Sequence, residues 1–133
     1  MNQLKFQKVK DAGQDLTHYC HEAAKDWWID ADGVDVRTYP KKHLLTWIMS
    51  KLMLSVSELS EGMEGVRKGL QDDKLPHRTM LEVELADCII RCFDLGGGLG
   101  FDLGSAIAEK MAFNAQREDH KRENRHTAGG KAV

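Results

Sequence analysis

The chain has 133 residues, of which 41% are hydrophobic and 30% charged, and a formal net charge of −2. This suits one water-soluble domain with its own core. It excludes the basic field expected of a nucleic-acid binder, and no apolar run of about 18 residues is present to span a membrane. Three cysteines form no paired framework, and the N-terminus lacks the apolar stretch of a signal peptide, so a reducing, cytoplasmic setting is expected.

Two prolines and few β-branched clusters favour helix throughout. Residues 1–11 are polar and lysine-rich and predict a loose entry. Leu16, Tyr19, Ala23, Ala24, Trp27 and Trp28 recur at helical spacing and predict a first helix over 12–29. His18, Cys20, His21 and Glu22 scatter around it without a second ligand cluster, so zinc is not indicated. Residues 30–39 predict a loop. Asp30-Ala-Asp32-Gly33 lacks the remaining ligands of a calcium loop.

Pro40 fits the first turn of a second helix, over 40–68. At about 100° per residue, Leu45, Ile48, Leu52, Val56, Leu59, Met63 and Val66 share one face and predict its core stripe. Gly69 is the stop signal. Pro76 predicts the start of a third helix, to about Leu95, with Leu81, Leu85, Cys88, Ile89 and Cys92 as its core stripe. Gly96-Gly-Gly-Leu-Gly100 predicts a helix stop and a corner, since the strand and lysine of a phosphate-binding loop are missing. Asp102 or Ser105 starts a fourth helix through about Asp119, packed down by Leu103, Ile107 and Met111, before a looser tail over 121–133. The expected fold is a single all-α domain over 1–133, an antiparallel bundle of about four main helices.

The chemistry gathers on two acidic pairs. Glu58 and Glu61 are three apart on one helix face, on the flank of the core stripe in line with Trp47 and Leu54. Glu84 and Asp87 repeat that spacing on the third helix. Packed antiparallel, the two helices would converge four carboxylates, whose repulsion calls for a divalent cation. An all-carboxylate set without His or Cys suits Mg²⁺. A di-iron bundle needs Glu-x-x-His twice, and here that motif occurs only at Glu123–His126. Such a magnesium site suits phosphate chemistry. Lys110, Asn114 and Arg117, at i, i+4 and i+7 on the fourth helix, supply a cationic side for the same clamp.

On Glu58-Leu-Ser-Glu61, Glu84-Leu-Ala-Asp87 and Lys110-Met-Ala-Phe-Asn114-Ala-Gln-Arg117, the sequence resembles the MazG-like all-α nucleoside triphosphate pyrophosphohydrolases, over about residues 14–120. The resemblance implies cleavage of a nucleotide between its α- and β-phosphates, giving a nucleoside monophosphate and pyrophosphate. It implies that Glu58, Glu61, Glu84 and Asp87 hold Mg²⁺ and that Glu61 acts as base toward the attacking water. It implies that Lys110 and Arg117 meet the phosphates, with Asn114 beside them. A homodimer or homotetramer is implied as well. Trp47 lies eleven residues before Glu58, roughly 16 Å along the helix axis, and is the candidate for stacking the nucleobase. The competing expectation is a helical interaction module whose acidic faces are solvated.

Overall fold

The computed structural model describes residues 1–117. Asp119 and the tail over 121–133 lie outside the described residues. The described residues form four α-helices and no strand: α1 (Gln3–Ala24), α2 (Lys41–Lys68), α3 (Met80–Gly98) and α4 (Leu103–Asn114). The all-α class and the number of main helices are those the periodicity predicts. Two single-turn 3₁₀ segments, Lys25–Trp28 and Val36–Thr38, interrupt the connection from α1 to α2.

Helix α1 ends at Ala24, ahead of residue 29, and α4 ends at Asn114, short of Asp119, so Arg117 is not on the helix that carries Lys110 and Asn114. Three further boundaries differ from the expectation, each for a local reason. Helix α1 begins at Gln3, not near residue 12. The Asn2 side chain accepts from Lys5 N at 2.9 Å, and such a cap makes a helix start of the polar lysine-rich entry. Helix α3 begins at Met80, not Pro76. Thr79 and Glu82 form a reciprocal capping box there, while Pro76 sits in a turn whose head is held by Asp72 Oδ1 accepting from Lys74 N and Leu75 N. The glycine run does not break α3 where it starts, since Gly96 to Gly98 remain helical. The turn comes at Gly100, with φ 71°. By contrast Gly69 ends α2 as expected, with φ 64° and Leu70 N donating to Gly65 O at 2.9 Å.

The chain divides into two compact units. One joins Met1–Asp15 to residues 102–117. In it the first half of α1 meets α4 at Gly13 and Gly104, where a Cβ on Gly13 would lie 2.7 Å from Gly104 Cα. Asp102 caps α4 by accepting from Ser105 N at 3.0 Å.

The larger unit, Leu16–Phe101, is built on the pairing of α2 with α3. Their register is antiparallel: Gly62 faces Glu84 and Gly65 faces Met80, while Lys51 meets Asp94. The α2 side of the seam therefore runs Lys51, Ser55, Glu58, Gly62, Gly65, the alternating four- and three-residue spacing of paired helices. This corrects the predicted core stripe. Leu45, Leu52, Val56, Leu59, Met63 and Val66 are exposed, up to 69% at Met63. Only Ile48 of that stripe is drawn toward the buried cluster of Trp28, Val36 and Leu95. On α3, Leu81, Leu85, Ile89 and Cys92 are exposed too. The seam favours small residues because they let the helices approach, and that turns the bulky stripe outward.

The C-terminal end of α3 shows the same device. A Cβ on Gly97 would lie 2.5 Å from His21 Cβ, and one on Gly98 would overlap the ring of fully buried Trp28. Gly98→Ala is expected to destabilise the protein by about 1–3 kcal/mol, the usual cost of overpacking, read from the midpoint of urea unfolding.

Candidate functional site

The seam that brings α2 and α3 together also brings their carboxylates together. Glu58, Glu84 and Asp87 each offer an oxygen within 4.8 Å of the others. Glu58 and Glu84 are only 6% and 7% exposed, whereas Asp87 is exposed. Gly62 makes this possible, because Glu84 Cβ occupies the space a side chain there would need, 3.3 Å from its would-be Cβ. Glu61 stands one turn along from Glu58 and is exposed. Three of the four expected metal ligands thus form one group, and Glu61 lies at its edge.

Like charges at this density are not tolerated unmodified. Burial, then a hydrogen bond with Glu58 and the charges of Glu61, Glu58 and Asp87, push the Glu84 carboxyl up to about 7. Glu58 is relieved differently: Arg91 Nε donates to its Oε1 at 2.5 Å. The donor set is all oxygen and partly buried, which fits a hard cation such as Mg²⁺ rather than zinc. Glu58, Glu84 and Asp87 are the residues that would hold it.

Two clefts flank the group. A larger one, ≈ 720 Å³, has apolar walls from Ala23, Ala24, Trp27, Trp47, Leu54 and Ile90, with Ser50, Lys51, Asp94, Asp87 and Arg91 as its polar lining. A smaller one, ≈ 560 Å³, lies between Glu61, Glu84, Asp87 and the turn over residues 70–75. Asp87 lines both, and Glu84 lines the smaller one.

A second polar cluster lies further along the seam. Asp94 is 5% exposed. Its Oδ1 accepts from Trp28 Nε1 at 2.8 Å and lies 2.9 Å from His21 Nδ1, and its Oδ2 accepts from Lys51 Nζ at 2.7 Å. Burial would push this carboxyl up, but the hydrogen bonds from Lys51, His21 and Trp28 outweigh it and hold the group below the usual carboxylate range. The Lys51 ammonium also sits 4.4 Å from the centre of the Trp28 ring.

The other sequence candidates fall as follows. Trp47 lines the larger cleft and also packs against the Trp28 cluster, and its Nε1 is buried with no hydrogen-bond partner among the described residues. Lys110, Asn114 and Arg117 belong to the smaller unit. There Lys110 Nζ lies 4.9 Å over the Phe113 ring, Asn114 Oδ1 is buried with no partner among the described residues, and Arg117 N donates to Asn114 O. Arg91, Lys51 and Asp94 were not singled out as site residues. One signal marks two of them: Lys51 is seven residues before Glu58 and Asp94 seven after Asp87, so both repeat the seam position two turns away.

Comparison with protein-family models, with curated proteins and with solved structures gives no match.

The Glu84 shift has a stability consequence whose sign is fixed. A carboxyl raised to about 7 in the folded chain binds a proton that the unfolded chain has already lost, so stability falls as pH rises from about 4.5 through about 7. Glu84→Gln is therefore expected to stabilise the metal-free protein above pH 7, by more than about 1 kcal/mol. The gain should shrink toward pH 4.5 in urea unfolding followed across that range.

Proposed function

We propose that the protein is a Mg²⁺-dependent nucleotide pyrophosphohydrolase that converts a nucleoside triphosphate to its monophosphate and pyrophosphate, in nucleotide-pool cleaning in the cytoplasm. The observation that carries this reading is the trio Glu58, Glu84 and Asp87, with oxygens within 4.8 Å of one another, of which Glu84 lines the smaller cleft and Asp87 lines both. The resemblance of the acidic motifs to MazG-like enzymes supports the same reading.

In this mechanism Glu58, Glu84 and Asp87 would hold the metal, with Glu61 completing the set. The chemistry supplied by bound Mg²⁺ is neutralisation of phosphate oxygens and acidification of a water. Glu61, exposed beside the polar cleft, takes the proton as water oxygen bonds to phosphorus and the α–β bridging bond breaks. The bridging oxygen leaves with pyrophosphate. The resemblance assigns Lys110, Asn114 and Arg117 to the phosphates; Arg91, which lines the larger cleft beside Asp87, is a cation that the larger unit itself offers them. The apolar cleft takes the nucleoside, with the Trp47 indole as its stacking surface. Arg91, which donates to Glu58 Oε1 and lines the larger cleft, is placed to donate to a phosphate oxygen there as well.

The working form on this reading is a homodimer or homotetramer. Its support is the exposed stripe along α2 and the exposed Leu81, Leu85 and Ile89 on α3, a contiguous apolar surface of the kind that marks an interface. The same stripe is what favours the alternative, an interaction module without catalysis.

Pyrophosphate release from a panel of nucleoside triphosphates with Mg²⁺ separates the two. The expected outcome is release that Glu61→Gln lowers by at least about a hundredfold and that Glu58→Gln also abolishes. Release equal in wild type and both variants, or none at all, leaves the module. For assembly, light scattering is expected to show an oligomer that Leu59→Glu, at the centre of the exposed stripe, converts toward monomer. A wild-type monomer at micromolar concentration would overturn that part.

A further inference from the structure

We infer that Lys51 donates to a carbonyl oxygen of the nucleobase, so that the larger cleft selects oxo-bases (uracil, thymine, guanine, hypoxanthine, cytosine) over adenine. This rests on the nucleotide reading above and adds the class of base to it.

The larger cleft has few polar groups with which to distinguish one flat heterocycle from another. Asp94 is one of them, but its carboxylate is already engaged by Trp28, His21 and Lys51. It cannot turn to accept from an exocyclic amine without leaving buried donors unpaired. Lys51 is different. An ammonium carries three N–H donors and no acceptor. One goes to Asp94 Oδ2, and the Trp28 ring shields one side. Donor capacity is left for the cleft that Lys51 lines. Its side chain is 14% exposed, so it is held in place before a ligand arrives, and little ordering is left to do on binding. The Asp94 charge beside it removes the penalty an isolated buried ammonium would suffer.

Position points the same way. Lys51 and Asp94 lie two helical turns from Glu58 and Asp87, roughly 10 Å along the paired axes. That is the span between the phosphate of a nucleotide and the far edge of its base. Lys51 is thus placed to meet the base rather than the phosphates. Trp47, one turn before it, supplies a flat wall of the same cleft. Among the common bases adenine alone has no carbonyl oxygen. Where guanine and hypoxanthine carry a carbonyl oxygen, adenine presents an exocyclic amine, which would oppose the ammonium donor to donor at that edge and leave only its ring nitrogens as acceptors.

The test is calorimetric binding of UMP, GMP and AMP to the full-length protein in EDTA, where turnover plays no part. UMP and GMP are expected to bind at least about tenfold more tightly than AMP, and in Lys51→Met/Asp94→Asn the preference should fall to within about twofold. The double variant removes both charges, so no unpaired carboxylate is left to unfold it. Lys51→Arg, which keeps a donor, should retain part of the preference. AMP binding as tightly as UMP and GMP, a preference that survives in the double variant, or no binding of any monophosphate would each overturn the inference. Pyrophosphate release is read separately. A protein that selects oxo-bases yet releases none would keep this inference and lose the hydrolase reading. One that hydrolyses all bases equally would do the reverse.

Discussion

The larger unit depends on how closely α2 and α3 approach. Ser55, Gly62 and Gly65 face α3, and a Cβ on Gly65 would come within 2.8 Å of Met80 Cβ. Small residues at a helix seam bring backbones together and leave the longer seam residues nowhere to go but into contact with each other. Glu58 and Glu84 are buried for this reason and not because their chemistry favours burial. The geometry of the acidic trio is therefore a consequence of glycine placement one turn away.

Two buried carboxylates on α3 show what that seam does to charge. Glu84 and Asp94 are ten residues apart and similarly buried, yet they are pushed in opposite directions. Asp94 has three hydrogen-bond partners, one of them cationic, and its charge is stabilised. Glu84 is buried beside the carboxylates of Glu58, Glu61 and Asp87, and its charge is resisted. The first is a completed structural network, which pins Trp28, His21 and Lys51 around the top of α3. The second is a cluster of like charges. A carboxyl strained by its neighbours and open to a cleft is a candidate for ligand chemistry, whereas a saturated one is not.

Much of this was legible in the sequence, and the part that was not has a physical explanation. Helix existence followed from periodicity, and Gly69 and Asp102 marked ends by local backbone chemistry that tertiary structure did not overrule. The two acidic pairs were legible because i, i+3 spacing is a property of the helix itself. The choice of packed face was not. Apolar residues at helical spacing ordinarily point to the core, and here Leu45 to Val66 supply a longer and stronger stripe than the Lys51–Gly65 seam. Hydrophobicity cannot tell a stripe buried within one chain from a stripe turned outward. Glycine at Gly62 and Gly65 was the countervailing signal, since glycine in a helix interior is costly unless close approach needs it. The run at Gly96–Gly98 misled in the same way: it reads as a stop, but the glycines stay helical to admit His21 and Trp28.

The outward stripe and the inward charges are linked energetically. Within the larger unit the fully buried large side chains are only Trp28 and Val36, so apolar burial supplies less than a chain of this size ordinarily draws on. The seam meanwhile carries a carboxyl whose charge is resisted, which lowers stability at neutral pH. A surface that buried Leu52, Val56, Leu59 and Met63 against a second copy would add apolar burial along the same helix that carries Glu58 and Lys51. Assembly and the order of the site would then be thermodynamically coupled, because whatever binds the paired form of α2 and α3 stabilises it by mass action. The metal would act on the same equilibrium from the other side, by removing the repulsion around Glu84. A cation at the acidic trio and a second copy on the outward stripe would then stabilise one and the same helix pair.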